Sequence, residues 1–338
     1  MPPAADAVDI SVVVCTHNRG QMLRDTLASY AAMAVQSSAR GELLIVDNNS
    51  GDDTASIARE FVRSHAGTTY VFEARPGLSH ARNTGIREAR AGIIAFADDD
   101  VYFQPGWLDA LVSAFAAFPG AGCAGGRTEP LFEAGAPSWL HDTLLYMYGS
   151  TDCGDAPSWM EFPKHPFGVN MAFRREVFDR IGGFDPRLGR VGESLLSGEE
   201  SDIFRRAHEA GYRTRYVPEA RLRHRIPSCR TNPQWALERS YWQGVSDVVF
   251  GQLHEPLGRV ALIGIVRQEA AWLLRHHTGG HLNPRRILWH RRSMPLHAKC
   301  WAEVRRGRLR QALKEVLTRP TPRLQAPPTS PVSTASQG

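Results

Sequence analysis

Four short apolar runs alternate with helical patterns over the first hundred residues, and this alternation constrains the fold more than any other feature. The runs cover residues 10–16, 42–50, 68–74 and 91–100. The first reads ISVVVCT, a β-branched stretch that is typical of a buried strand. Strand–helix–strand alternation at this pitch predicts βαβ units around a mostly parallel sheet. We therefore expect an α/β fold in which helices flank the sheet.

Polar and acidic side chains follow three of these strands. The strand ends read CTHNR, VDNNS and ADDD, and the last of them places Asp98, Asp99 and Asp100 in a row. Ligands of parallel sheets bind outside the carboxyl ends of the strands, so we expect the three ends to converge on one crevice. Asp98 and Asp100 can share one face of an extended chain, and two carboxylates fit Mn²⁺ or Mg²⁺. A solvated acidic turn is the alternative interpretation.

The composition is that of a globular protein, with 338 residues of which 42% are hydrophobic and 22% charged. No apolar stretch reaches the roughly 18–20 residues that span a bilayer, and the N-terminus lacks the basic and apolar regions of a signal peptide. We therefore expect a soluble or peripheral protein of the cytoplasm. The five cysteines are widely spaced and form no CxxC motif, which argues against a disulfide framework or a zinc knuckle.

Charge is distributed unevenly along the chain. Residues 259–323 contain 15 Lys and Arg against three Glu, whereas the whole chain has a net charge of only +5. The chain outside this segment is therefore net negative, which suggests two regions with different tasks. The predicted organisation is a disordered lead (1–8), an α/β domain (9–228), a basic helical region (229–318) and a disordered Pro/Ser-rich tail (319–338).

The basic helical region has three interpretations. Its segment 299–317 places apolar side chains along one helical face, and such a helix could lie at the inner face of an anionic membrane. It could also pack this face on the protein and leave its arginines in solvent, which is the interpretation we favour. Nucleic-acid binding is the weakest of the three, because no recognised motif accompanies the charge. We expect no nucleic-acid partner.

Two further segments are predicted from local pattern alone. Residues 137–163 are rich in aromatics and broken by Pro and Gly, which favours a long loop, and TRYVPEARLRH (214–224) leads into an edge strand. GAGCAG (120–125) matches GxGxxG, but it follows a helical stretch instead of opening a helix after a strand. A dinucleotide-binding fold is therefore not expected, and no P-loop motif occurs.

Five longer motifs occur in a fixed order: SVVVCTHNR, LLIVDNNSGDDT, GLSHARNTGIREARAGIIAFADDDV, VNMAFRREVFDRIGGFD and GEESDIFRRAHEAGYR. Together they resemble the nucleotide-sugar-dependent glycosyltransferases of family 2, which have the GT-A fold. The resemblance covers roughly residues 9–228. It implies a hexosyltransferase of polysaccharide or glycoconjugate biosynthesis, with a nucleotide-sugar donor that is expected to be UDP-linked. The acceptor would be a glycan, a glycolipid or a small molecule, and the cofactor Mn²⁺ or Mg²⁺.

The resemblance also implies roles for individual residues. The metal ligands would be Asp98, Asp100 and His224. The nucleotide would be bound by Thr16, Asn18, Arg19, Asp47, Arg82 and Asp99. The donor sugar would lie near Gly168 and Asn170. The general base would be Glu200, with Glu199 as its rival, because the family usually shows Glu-Asp and Glu200 occupies the position of that Asp.

These roles make up one reaction. A single positioned carboxylate removes the proton of the acceptor hydroxyl, and a metal stabilises the charge on the departing nucleoside diphosphate. One base with in-line attack gives inversion at the anomeric carbon, without the second carboxylate that glycosidases need. The alternative is a catalytically silent nucleotide-sugar-binding or scaffold protein, which the Glu in place of Asp keeps open. Trp139, Tyr146, Tyr148 and Trp159 could stack on the acceptor or fill a small core.

Overall fold

The structure, a computed structural model, describes residues 8–192, 194–279 and 283–318. Almost all of the predicted lead and the whole predicted tail lie outside the described residues. Within them the strands are β1 (Ile10–Thr16), β2 (Gly41–Asp47), β3 (Thr68–Phe72), β4 (Ile93–Asp98), β5 (Val101–Phe103), β6 (Ala121–Phe132), β7 (Ser158–Met160), β8 (Asn170–Arg174) and β9 (Arg213–Ile226).

The same residues form helices α1 (Gly20–Ala34), α2 (Thr54–Ser64), α3 (Leu78–Glu88), α4 (Trp107–Ala117), α5 (Arg175–Ile181), α6 (Glu199–Glu209), α7 (Pro233–His254), α8 (Arg259–Thr278), α9 (Pro284–Ser293) and α10 (Leu296–Thr318). The predicted loop over 137–163 contains a 3-10 helix (Asp142–Tyr148) as well as β7. None of the helices in this part of the chain has both the length and the apolar character needed to cross a membrane.

The strands form one sheet in the order β3-β2-β1-β4-β8-β6-β9-β5, with β7 beside β9. The four strands predicted from the first hundred residues pair in parallel, as expected. The second half of the sheet is mixed, because β8 runs antiparallel to both β4 and β6. The predicted α/β fold, a sheet flanked by helices with a helical C-terminal extension, is confirmed.

The prediction of an edge strand at β9 is wrong. This strand pairs with β6 along one side, and β5 and β7 pair with its other side. Its partners β5 and β7 have three residues each. Such short strands give almost no periodic signal, so the local pattern did not reveal that β9 is covered on both sides.

Helices cover both faces of the sheet and bury two apolar clusters. On one face Val12 and Val14 pack with side chains of α1 and α4, and on the other face Val13 packs with side chains of α3, α5 and α6. All three valines are fully buried. Their alternation between the two faces explains why β1 reads as a continuous apolar run. β1 is thus packed by helices on both faces up to its polar carboxyl end.

Helices α7 and α10 cross in unusually close contact. A Cβ atom at Gly244 would lie 1.7 Å from the carbonyl oxygen of Val304, and a Cβ at Gly307 would lie 2.0 Å from that of Tyr241. Each helix therefore needs a glycine where the other helix crosses it. Of the α10 face that we considered for membrane contact, Val304 and Val316 are buried, whereas Trp301, Leu313 and Leu317 are exposed, so membrane contact stays a prediction.

Candidate active site

A cavity of about 730 Å³ opens at the carboxyl ends of β1 and β4, within the size range of ligand-binding pockets. The register of the sheet sets Cys15 beside Asp98 and Thr16 beside Asp47, so the three strand ends lie at one level. Helices α7 and α10 form the opposite wall of the cavity. The strand ends therefore converge as predicted. The other side of the cavity is closed by a second wall, which the sequence motifs do not include.

Arg19, at the start of α1, holds two of the three consecutive carboxylates. Its Nη1 donates to Asp99 Oδ1 at 2.9 Å and to Asp100 Oδ2 at 2.7 Å. Both aspartates are buried, whereas the side chain of Asp98 is 38% exposed and faces the cavity. Burial raises the pKa of Asp99 in spite of the Arg19 charge. Burial acts the same way on Asp100, but the charges of His224 and Arg19 outweigh it and hold the pKa of Asp100 far below its usual range.

His224 joins this carboxylate cluster from β9. Its Nε2 lies 3.1 Å from Asp100 Oδ1, and its Nδ1 lies 2.6 Å from the carbonyl oxygen of Tyr148. One potential ligand atom from each of Asp98, Asp100 and His224 lies within 4.8 Å of the other two. Two carboxylates and an imidazole whose ring is oriented by a second hydrogen bond are a suitable donor set for Mn²⁺ or a similar divalent cation. The residues therefore fit the predicted metal.

Arg82, on α3, connects this cluster to a second pair of carboxylates. Its Nη1 donates to Glu199 Oε1 at 2.8 Å, and its Nη2 lies 3.6 Å from Asp98 Oδ1. The residue is only 3% exposed. A Cβ atom at Gly168 would come within 2.5 Å of Arg82 Nη2, so the glycine leaves room for the guanidinium in the cavity wall. Gly168 thus contributes to the site by leaving space for the side chain of Arg82.

Glu199 and Glu200 open α6, after Gly198 in a left-handed conformation (φ 107°) that favours glycine. Burial, with the charge of Glu200 second, raises the pKa of Glu199 to about 7 although Arg82 opposes the shift. Glu200 also lines the cavity, and its Oε2 is buried without a hydrogen-bond partner in the part of the chain that is described. Glu199 Oε2 is likewise unpartnered among these residues, so the site holds one carboxylate anchored by Arg82 and a neighbouring one, Glu200, without an arginine partner in the described chain.

Two residues that were predicted to contact the nucleotide do not line the cavity. Asp47 is buried, and its carboxylate accepts from the hydroxyl of Tyr70 at 2.8 Å and from the amide of Ser50 at 3.0 Å. Asn18 accepts from the amide of Gly51 at 2.7 Å. Both side chains use their oxygens to order the strand ends; Asp47 is buried behind the cavity wall, and Asn18 is exposed to solvent.

Asn170, predicted near the donor sugar, is also outside the cavity lining. It is 1% exposed; its Oδ1 accepts from the indole of Trp107 at 3.0 Å and its Nδ2 donates to the carbonyl of Ala220 at 2.9 Å. Every polar atom of this side chain binds the protein itself. The remaining predicted residues do line the cavity: Thr16, Arg19, Arg82, Asp98, Asp99, Asp100, Gly168, Glu199, Glu200 and His224.

The sequence reasoning missed the wall that α7 and α10 provide. Trp235, Arg239, Gln243 and Asp247 line the cavity from α7, and Trp301, Val304 and Arg308 line it from α10. The i, i+4 spacing of the four α7 residues is the signal that could have indicated a shared face. Four arginines in this wall or at its edge also escaped notice: Arg190, Arg230, Arg239 and Arg308.

The aromatic residues of the predicted loop have different environments. Tyr146 lines the cavity. Tyr148 is buried in a small core, where it stacks on Trp235 with ring centroids 5.2 Å apart, and Trp139 packs against the same core. Trp159 packs against Phe118. The acceptor-stacking interpretation is thus open for Tyr146, whereas the other three fill cores.

Comparison with known proteins agrees with this geometry. The family model described as Glycosyl transferase family 2 matches residues 11–182. A glucosyl-dolichyl phosphate glucuronosyltransferase from Haloferax volcanii is 28% identical over 248 residues, covering 72% of this chain and 78% of its own. Succinoglycan biosynthesis protein ExoM from Rhizobium meliloti is 28% identical over 248 residues, covering 71% and 74%.

Among solved structures, the fold is similar to that of the mannosyltransferase PcManGT from Pyrobaculum calidifontis, solved in complex with GDP-Man and Mn²⁺. The TM-score is 0.58 at 20% sequence identity, and the match covers 93% of this chain and 88% of that one. The similarity extends beyond the α/β half, since so large a share of the chain includes the C-terminal helices.

Proposed function

Because the chain belongs to glycosyl transferase family 2 and is a glycosyltransferase, we propose that it moves a sugar from a nucleotide-sugar donor to an acceptor hydroxyl with inversion. The observation that carries the proposal is the cavity itself. It brings the Asp98–Asp100–His224 cluster and the Glu199–Glu200 pair to one space, with Arg82 between them. A metal cluster at one end and a free carboxylate at the other are the two parts that such a transfer needs.

The donor occupies the half of the cavity at the strand ends. Asp98, Asp100 and His224 would hold Mn²⁺ or Mg²⁺, which stabilises the charge of the nucleoside diphosphate as it leaves. Thr16, Arg19 and Arg82 line this half and supply donors for the nucleotide. Asp47, which was expected to bind the nucleotide, accepts from the hydroxyl of Tyr70, so the base of the donor is assigned by experiment.

Glu200 is the base. The acceptor oxygen attacks the anomeric carbon from the side opposite the diphosphate, the bond to the diphosphate breaks, and Glu200 Oε2 takes the hydroxyl proton. A positioned base of this kind contributes roughly 10²–10⁴-fold to the rate. Glu199, anchored by Arg82, fixes the start of α6 and thereby the position of Glu200. Attack from one face, with no covalent intermediate, inverts the anomeric carbon.

The acceptor is a glycan or a glycolipid. The names of the two relatives support this class, since one refers to a glucosyl-dolichyl phosphate and the other to succinoglycan. Tyr146, Trp235 and Trp301 line the cavity from the 3-10 helix, α7 and α10 and offer the aromatic surface on which sugar rings stack. Peripheral contact with a membrane would bring a lipid-linked acceptor to this opening.

The first test is thermal stabilisation by a panel of nucleoside diphosphates and nucleotide sugars, with and without Mn²⁺. A ligand that binds only the native state raises the melting temperature once its concentration exceeds the dissociation constant. We expect a metal-dependent shift with one nucleotide, abolished in Asp100→Ala and retained in Asp53→Ala, an exposed carboxylate outside the cavity. No shift with any nucleotide would refute the proposal.

The second test is transfer itself, measured as release of the nucleoside diphosphate in the presence of an acceptor panel. Product release that requires both the acceptor and the metal supports the enzyme. A metal-dependent shift without transfer to any acceptor would instead favour the catalytically silent protein. The configuration of the product, read from the anomeric coupling in its proton NMR spectrum, decides between inversion and retention.

A further inference from the structure

Arg239, on the cavity-facing side of α7, carries a buried charge that the protein does not neutralise. The residue is 8% exposed and lines the cavity. Within the described residues its Nε and Nη1 have no hydrogen-bond partner, and its Nη2 has only the hydroxyl of Ser197, at 3.4 Å. A buried guanidinium without a carboxylate is costly, and burial lowers the pKa of Arg239 in spite of the acidic groups nearby. An anionic ligand in the cavity would stabilise this charge.

Three other arginines that line the cavity do have a carboxylate partner. Arg19 binds two carboxylates of the metal cluster, Arg230 lies 3.4 Å from Asp100, and Arg308 donates to a carboxylate of α7 at 2.9 Å. Arg190 resembles Arg239, because it lines the cavity and has no carboxylate within ion-pair distance in the part of the chain described. Among the described residues the cavity therefore contains two guanidinium groups without a carboxylate partner.

The position of Arg239 assigns it to the acceptor side. Its Nη2 lies 3.4 Å from the hydroxyl of Ser197, three residues before Glu200, whereas Arg230 and Arg19 contact Asp100 at the metal cluster. In an inverting transfer the acceptor approaches from the side of the base, opposite the departing diphosphate. An anion that reaches Arg239 next to Glu200 is thus part of the acceptor, and the diphosphate of the donor lies at the other end.

We infer that the acceptor carries a phosphate group, that Arg239 binds this phosphate beside Glu200, and that Arg190 contributes its charge from the cavity wall. The inference rests on the proposed function and specifies its acceptor. Two unpartnered guanidiniums suit a dianion better than a single carboxylate, because Arg binds phosphate oxygens through pairs of charge-assisted hydrogen bonds. Held in this way, the phosphate orients the hydroxyl of the acceptor toward Glu200.

The test uses the full chain saturated with Mn²⁺ and the nucleoside diphosphate selected by the panel. Calorimetric titrations compare glucose 1-phosphate, octyl phosphate, methyl glucuronide and methyl glucoside. We expect a phosphate probe to bind and Arg239→Gln to weaken its binding roughly tenfold or more, as loss of a charge-assisted contact does. Glucose 1-phosphate binding alone indicates a sugar phosphate, and octyl phosphate binding alone a lipid phosphate.

Three controls make the result specific. The affinity of Arg239→Gln for the nucleoside diphosphate should stay within about twofold of wild type. Arg306→Gln, which changes an exposed arginine of α10 that pairs with Glu303, should alter neither affinity. Arg239→Lys keeps the charge, so it should fold like wild type and retain part of the phosphate affinity even if Arg239→Gln unfolds.

Four other outcomes would overturn the inference. If the nucleotide binds and neither phosphate probe does, the acceptor has no phosphate site and the proposed function stands. Tighter binding of methyl glucuronide would replace the phosphate by a carboxylate. A loss of nucleotide affinity in Arg239→Gln, with phosphate binding kept, would move the arginine to the donor site. If no nucleotide binds at all, the proposed function fails and the inference fails with it.

Discussion

Arg82 is the residue whose replacement tests the electrostatics of the site most directly. It is 3% exposed, and it donates to Glu199 at 2.8 Å while lying 3.6 Å from Asp98. The change Arg82→Gln keeps a hydrogen-bond donor near Glu199 but removes the positive charge. Glu199 is then left beside Glu200 without a counter-charge, so its pKa must rise further above the value of about 7 that it has with Arg82 in place.

The size of the effect follows from this pKa. Below pH 7 Glu199 is mainly protonated in both proteins, and the loss is that of a buried hydrogen bond, about 1–3 kcal/mol. Above pH 7 the wild-type carboxyl ionises in the native state, whereas the variant carboxyl stays protonated. Glu199 is ionised in both unfolded chains at these pH values, so the native variant must take up a proton on folding. The difference in free energy of unfolding should therefore grow by about 1.4 kcal/mol per pH unit until the variant carboxyl ionises as well.

Urea denaturation of both proteins at pH 6.5, 7.5 and 8.5 measures this difference. The double variant Arg82→Gln/Glu199→Gln is the matched control, because it lacks the titrating group and should show no growth with pH relative to Glu199→Gln. A difference between Arg82→Gln and wild type that is constant or shrinks as the pH rises would refute the claim that Arg82 neutralises Glu199. Arg82 would then only hold Glu199 and Asp98 in position, without neutralising the charge of Glu199.

Three other expectations can be checked with single variants. Glu200→Gln should lower the rate of transfer roughly 10²–10⁴-fold while the nucleotide still raises the melting temperature as in wild type; an undiminished rate would remove Glu200 as the base. His224→Ala should weaken Mn²⁺ binding in a calorimetric titration, because it deletes one of the three proposed ligands, and an unchanged titration would exclude His224 from the metal site. Gly244→Ala should destabilise the protein by roughly 1–3 kcal/mol in urea, since its Cβ would collide with the carbonyl of Val304. Gly251→Ala on the same helix has open space and should be neutral or slightly stabilising, so an equal loss in both would contradict the close crossing.

The first half of the fold could be predicted because its pattern is local. Each of β1 to β4 is a run of apolar residues with a helix after it, and parallel pairing then sets the strand ends at one edge. This is why Thr16, Asp98 and Asp100 could be placed together before any coordinates were known. The same reasoning failed at β9, where the partners are strands of three residues whose pairing depends on distant parts of the chain.

A motif predicts which residue types stand at a strand end, but it does not predict which of their atoms remain free. Asp47 and Asn170 illustrate the difference. Tyr70 reaches Asp47 from β3 and the indole of Trp107 reaches Asn170 from α4, and each contact uses an oxygen that the motif alone would assign to the ligand. Whether a polar group serves the protein or the substrate is decided by neighbours that are far away in sequence.

The wall formed by α7 and α10 is the extreme case of this dependence. On α7 alone, Arg239, Gln243 and Asp247 have the spacing of an ordinary solvent-exposed face. They become part of a cavity because Gly244 lets the backbone of α10 approach, and because the small core around Tyr148 ties α7 to the sheet. The proposed donor half of the site is thus encoded in contiguous motifs, whereas the proposed acceptor half arises from a helix crossing. We therefore expect relatives that share the motifs to differ in acceptor through the residues of this second wall.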